Sequence, residues 1–190
     1  MRNRLQFSIV FTLTAAFVFF VGCSINVKKN DNNQDKNVDI DTPFGGIHVS
    51  KGADVRDTGI PAYPGAQPKK KGDSDDDEKS ANVDISTSAF GVKVVAIDYE
   101  THDAPSKVVA FYKDKLKQYG NVLECHTSGT NYTREGNSEE LKCEGNNNGK
   151  TIELKAGTRS NQHIVAINPE DKGSEFSLVY VRLRGKEGTI

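Results

Sequence analysis

The sequence predicts an α+β protein: one helix packed on an antiparallel sheet of about five strands, preceded by β-hairpin segments and a flexible tether. Three observations predict it. Between residues 103 and 120 the apolar side chains recur at helical spacing. A run of strand candidates with short links follows, the order expected of a helix on an antiparallel sheet. Upstream, residues 37–49 (NVDIDTPFGGIHV) and 82–94 (NVDISTSAFGVKV) echo each other at an offset of 45, identical at seven of thirteen positions.

Each echoed copy alternates apolar and polar residues, meets a Gly-containing turn and alternates again, which is a hairpin signal. In the first copy Val38 and Ile40 share a face, then Ile47 and Val49. Two copies are too few for a solenoid. Between them, Pro64-Gly65 marks a turn, and the Tyr63–Pro64 bond is open to the cis form. The run Lys69-Lys70-Lys71, then Asp73, Asp75, Asp76, Asp77 and Glu78, nearly neutralises itself and reads as a solvated linker. It departs from a calcium loop, because Glu78 stands where that loop needs glycine and Asp84 where it needs glutamate.

From Gly91 a compact domain is expected. Val92–Tyr99 is β-prone, and its apolar parity shifts from 92 and 94 to 95, 97 and 99, which a bulge or burial on both faces would produce. Asp103 is placed to cap a helix with Pro105 in its first turn. Val108, Phe111, Tyr112, Leu116 and Tyr119 form its apolar stripe, and Gly120 ends it. Strands are predicted over 121–127, 139–145, 150–156, 162–168 and 175–183. Pairing 121–127 with 139–145 sets Cys125 opposite Cys143, at a separation a disulfide accepts.

The N-terminus carries the clearest functional signal. Arg2 and Arg4 lead into an apolar stretch from Leu5 to Val21, the pattern of a secretory signal. Phe20-Val21-Gly22-Cys23 resembles the lipobox of bacterial lipoproteins, with phenylalanine where that family prefers leucine. The resemblance implies cleavage before Cys23 and diacylglycerol on its thiol. Ser24 after the cysteine implies the outer membrane. Two or more acyl chains on one residue give stable anchoring where one does not. The YPGA segment at 63–66, with VVAFYKDKL at 108–116, resembles exported bacterial proteins of unassigned function and implies no mechanism.

The expected organisation is therefore a signal peptide over 1–22, the lipidated Cys23 with a tether over 23–37, and a hairpin and Pro/Gly segment over 38–66. A charged linker over 67–81 and an α+β domain over 82–190 complete it. Fully extended, residues 24–37 would reach about 45 Å from the membrane. Removing residues 1–22 takes away two arginines and turns the net charge of −1 into −3, which disfavours nucleic acid. With Cys23 assigned to lipid, Cys125 and Cys143 form an even pair in an oxidising compartment.

No catalytic or metal-binding pattern emerges. His48, His102, His126 and His163 are scattered, and the zinc-protease, nucleophile-elbow and phosphate-loop motifs are missing. No cofactor and no metal are expected, and the expected role is not enzymatic. A packing imbalance offers the better lead. In 175–183, Phe176, Leu178 and Tyr180 oppose Val179, Val181 and Leu183; in 162–168, Ile164 and Ala166 oppose Val165 and Ile167. One helix covers one face. The second face, assigned here to Val179, Val181, Leu183, Val165 and Ile167, needs a cover from the N-terminal hairpins, a partner protein, a second copy or an apolar ligand. The leading expectation is a lipid-anchored envelope protein that engages a protein partner through a sheet face or edge. A periplasmic small-molecule or lipid binder is the alternative, and a hydrolase with an unrecognised site the third.

Overall fold

The computed structural model describes residues 24–29, 36–70, 80–128, 139–143 and 147–185. One antiparallel sheet dominates. Its strands are β1 (Ser24–Lys29), β2 (Lys36–Thr42), β3 (Gly45–Lys51), β4 (Gln67–Pro68), β5 (Ser80–Thr87), β6 (Phe90–Thr101), β7 (Leu123–Thr127), β8 (Thr151–Thr158), β9 (Asn161–Glu170) and β10 (Gly173–Gly185). Nine lie side by side in the order β1-β2-β3-β5-β6-β10-β9-β8-β7, and the two-residue β4 pairs with β6. Among the described residues the helices are α1 (Val55–Thr58) and α2 (Pro105–Leu116), the latter continued by a 3-10 turn over Lys117–Tyr119.

This corrects the expected fold of one helix on about five strands. The protein is mostly β, and the hairpins are part of the sheet rather than segments that precede it. The reason lies in the echo. β3 pairs with β5 so that Ile47 meets Ile85 and Val49 meets Val83, and β5 pairs with β6 so that Val83 meets Val94 and Ile85 meets Val92. Rows of β-branched side chains stay aligned across four strands, the arrangement in which such side chains pack best on a pleated surface. Gly45 permits the close approach: a Cβ there would stand 2.1 Å from the Ser86 carbonyl oxygen. The tether is corrected too, because Ser24–Lys29 is an edge strand paired with β2. Part of the charged linker is likewise ordered. Lys69 donates its backbone N–H to Asp98 and pairs its ammonium with Glu175, and β5 already starts at Ser80. The acidic run at 73–78 lies outside the described residues.

β6 and β10 form the spine, paired in unbroken register from Ser174–Thr101 to Gly185–Phe90. The parity shift along β6 therefore needs no bulge. Val95, Ile97 and Tyr99 are buried on one face, while Val92 and Val94 point to the other and stay half-exposed. The apolar side of the sheet changes over within a single straight strand.

On the face of Val95, Ile97 and Tyr99, α2 packs against β8, β9 and β10. Its stripe buries Val108, Tyr112 and Leu116 against Leu154, Ala156, Val165, Ile167, Phe176 and Leu178. Ile60 and Tyr63 complete this core. Tyr63 meets Phe111 edge-on at 5.1 Å and lies 6.1 Å from Phe176, so the YPGA segment is a packing element. The described peptide bonds, Tyr63–Pro64 among them, are trans. Asp103 is not the helix cap. Ala104 occupies that position with no side-chain bond, and Asp103 accepts instead from Tyr63 Oη at 2.9 Å and Lys107 Nζ at 2.7 Å. Pro105 opens the helix, where its missing N–H costs no bond.

Cys125 and Cys143 form the expected disulfide, with Cα atoms 5.3 Å apart. The expected strand pairing around it does not form. Cys125 stands opposite Glu153 of β8, and 139–143 carries no strand. Leu141 and Cys143 are the only apolar residues of 139–143, too few to hold a ladder against the longer apolar run of β8. The 139–143 segment is held by the bridge and by Glu139, whose carbonyl accepts from Arg159 N–H at 3.0 Å. The outer edge of β7 is occupied as well: His126 N–H donates to the Asn147 side chain, and its carbonyl accepts from Gly149 N–H at 3.1 Å.

Candidate interaction surface

The sheet face turned away from α2 is the candidate site. Val38, Ile40, Ile47 and Val49 of the first hairpin continue through Val83 and Ile85 into Val92 and Val94, and from there into Val181 and Leu183 of β10. Val179 adds Ile164 of β9. No helix and no second sheet layer packs on these side chains among the described residues. Most are half-buried by their neighbours in the sheet, and Ile47 and Leu183 are exposed.

Sequence reasoning placed Val179, Val181 and Leu183 together, and the register keeps them on one face. It grouped Val165 and Ile167 with them, and this is corrected. Leu178 stands opposite Val165 and Phe176 opposite Ile167, so both belong to the face under α2, where they are fully buried. Ile164 and Ala166 take their place. The strand alternation was read correctly within each strand, but the phase between β9 and β10 is set by the turn at residues 171–172. The hairpins do not cover this face, as one expectation held. They extend it edge-on, and their own valines and isoleucines are the residues that sequence reasoning missed. The alternation at 38–49 and 83–94 was the available signal.

The opposite side of the hairpin half is charged. Asp39, His48, Asp84, Lys93 and Arg182 follow one another across β2, β3, β5, β6 and β10. His48 Nδ1 lies 3.0 Å from Asp39 and its Nε2 3.8 Å from Asp41. The bond to the Asp39 carboxylate holds the imidazole pKa above its usual value. Here Asp84 faces Lys93 across the ladder. These side chains are exposed or half-exposed, so among the described residues the valine and isoleucine rows are the apolar side of the half-sheet.

Between α2 and the sheet, Tyr63, Tyr112 and Phe176 fill the interior with ring centroids 5.6–6.3 Å apart. An open cleft of about 530 Å³ lies elsewhere, at the Thr101 end of the sheet, among Lys69, Glu100, His102, Glu170, Lys172 and Glu175. Its lining is polar and partly self-neutralised by the Lys69–Glu175 pair. His163 is buried near α1: it donates from Nδ1 to the Thr58 carbonyl at 3.0 Å and stacks on Tyr119 with centroids 3.6 Å apart. Burial pushes its pKa below the usual value. Among the described residues no three His, Cys, Asp or Glu side chains converge as metal ligands. No described helix is long and apolar enough to cross a membrane. Cys23 lies outside the described residues. Comparison with protein-family models, with curated proteins and with solved structures finds no match for this chain.

Proposed function

We propose that this chain is a lipid-anchored protein of the bacterial cell envelope, cleaved before Cys23 and held by acyl chains on that residue, with a non-catalytic binding role. Its ligand is a partner protein, engaged through the sheet face that carries Val83, Ile85, Val94, Val179 and Val181. The observation that carries this reading is the change of apolar side along β6: Val95, Ile97 and Tyr99 are buried under the helical layer, while Val92 and Val94 lead a broad apolar surface on which no described element packs. Contiguous apolar patches of that kind mark interaction sites. The aromatic filling between α2 and the sheet disfavours an apolar ligand there.

Photo-cross-linking in intact membranes tests it. A photoreactive residue at Val181 is expected to give one discrete protein adduct. The same residue at Lys113, exposed on the outer side of α2 and paired with Glu124 at 2.5 Å, is expected to give none. Equal labelling from both positions, or none from Val181, would remove the face as a docking surface.

A further inference from the structure

We propose that the hairpin-tip end of the sheet is seated in the leaflet that holds the Cys23 anchor, with Phe44 at the boundary of headgroups and acyl chains and Arg182 and Arg184 at the lipid phosphates. This rests on the lipoprotein reading above and goes beyond it, because an anchor alone would leave the sheet free of the membrane.

The first argument is where the chain enters the sheet. β1 begins at Ser24, so no tether separates Cys23 from the fold, and one residue spans at most about 3.6 Å. In the ladder Ser24 is level with Asp41, Gly46, Ser86, Gly91 and Arg184. Both hairpin turns, Thr42–Gly45 and Thr87–Phe90, project just beyond that row. An acylated Cys23 therefore holds these turns at the depth of the headgroups.

The second argument is independent of the lipobox. Among the described residues three large apolar side chains are exposed: Phe44 at 77%, Leu183 at 39% and Ile47 at 38%. All three lie at this end. Phe44 is the turn residue itself, and Ile47 and Leu183 sit one row below Ser24. Phenylalanine and leucine are among the apolar side chains that interfacial segments bury at the boundary of headgroups and acyl chains.

Charge adds a third. Arg182 and Arg184 project at the same end, beside Lys93 and Asp84, around a groove of about 290 Å³. The guanidinium of Arg184 lies over Gly91. Neither arginine has a salt-bridge partner among the described residues, and both are exposed. Asp84 stands opposite Lys93, and Asp39 and Asp41 lie against His48 on the neighbouring strand rather than against the arginines. Long basic side chains reach from apolar surroundings to phosphates, and anionic lipid attracts them. In this pose the strands rise from the leaflet, and the valine and isoleucine face stands sideways, open to a partner.

The chain contains no tryptophan, so a single introduced one reports its own surroundings. Full-length protein carrying Phe44→Trp, or separately Ala89→Trp at the second tip, is purified from membranes and reconstituted in vesicles of phosphatidylethanolamine and phosphatidylglycerol. His102→Trp, about 36 Å away along β6, is the control. Mass analysis of each sample reports whether Cys23 is acylated. With Cys23 acylated, the tip tryptophans are expected to emit at blue-shifted wavelength and to lose most of their emission to acyl-brominated lipids, while His102→Trp does neither. Acylated protein with an unquenched, water-like Phe44→Trp overturns the seating and leaves the lipoprotein reading intact. A blue shift without bromine quenching also overturns it, in favour of a protein contact at the tips. An unmodified Cys23 overturns the lipoprotein reading, and the seating with it.

Discussion

The two halves of this sheet share β6 and β10 and differ in which side is apolar and what lies on it. In the half built by β7, β8, β9 and the Thr101 end of the spine, the apolar side is roofed by α2, Ile60 and Tyr63. In the half built by β1, β2, β3, β5 and the Phe90 end, the apolar side is the reverse one, and no described element roofs it. A disulfide and a bound loop close the β7 edge, whereas β1 lies at the end of the ladder with no strand beyond it among the described residues. One half thus resembles a finished core and the other an offered surface. Stability and binding are expected to divide between them.

Side-chain truncation should expose the division with the largest effect. Phe176→Ala empties the centre of the roofed core, and such changes cost about 3–5 kcal/mol. Ile85→Ala removes an isoleucine from the open face opposite Val92. It should cost about 1 kcal/mol or less, the range of cross-strand pairs. Urea unfolding of the isolated, non-acylated chain measures both. A cost for Ile85→Ala as large as that of Phe176→Ala would mean that the open face is already covered in solution, and the contrast between the halves would collapse.

The bridge comes next. Replacing Cys125 and Cys143 together by alanine releases a loop closed across 18 residues and should lower stability by about 3 kcal/mol. The effect belongs to the roofed half. Amide exchange should quicken in β7 and β8 and stay unchanged in β2 and β3. Faster exchange in the hairpins would show that the halves unfold as one cooperative unit.

The elements were largely legible in the sequence, and their assembly was not. The stripe from Val108 to Leu116, the alternation of 162–168 and 175–183 and the two hairpins all follow from spacing, which is local. Whether a hairpin folds over a sheet or joins its edge is decided by register between strands distant in sequence. No local pattern encodes that Val49 meets Val83. The same limit misplaced Val165 and Ile167, because alternation fixes sides within a strand and only the connecting turn fixes the phase between strands. The disulfide was legible from its count and context, and its expected strand pairing was wrong, since a bridge constrains two Cα atoms and not a ladder. Asp103 has the chemistry of a helix cap, but Tyr63, forty residues away, competes for it.

A smaller contrast lies within the open half, between the two hairpin copies. In each, one threonine ties the turn. Thr42 Oγ donates to the Gly45 carbonyl at 2.8 Å and accepts from Phe44 N–H at 3.3 Å. Thr87 Oγ donates to the Phe90 carbonyl at 3.0 Å and accepts from Ala89 and Phe90 N–H at 3.2 and 2.9 Å. The equivalence supports duplication of the hairpin. Thr42→Val and Thr87→Val keep the shape and remove these bonds, at about 1 kcal/mol each. Thr87 should cost slightly more, because it accepts one bond more and its turn leads into the spine. A much larger loss at Thr42 would contradict the equivalence.

The smallest expected effects differ in sign rather than size, and they separate the halves by pH. His163 belongs to the roofed half, where burial lowers its pKa below 6.5 and the bond from Nδ1 to Thr58 opposes that only in part. The unfolded chain takes up a proton near 6.5 that the folded chain refuses. The roofed half is therefore at full stability above 6.5 and loses some as pH falls toward the lowered value. His48 belongs to the open half, about half exposed, with its pKa raised chiefly by the bond to the Asp39 carboxylate and further by Asp41 and Asp84. Its contribution is complete below 6.5 and disappears as pH rises through the raised value. Titration of the imidazole resonances should place the His48 midpoint above 6.5 and the His163 midpoint below it. His163→Gln should flatten the acid side of the stability profile, and His48→Gln should leave that side in place. Coincident midpoints for the two rings would erase this distinction, since it depends on one histidine being roofed by Tyr119 and α1 while the other stands in water between carboxylates.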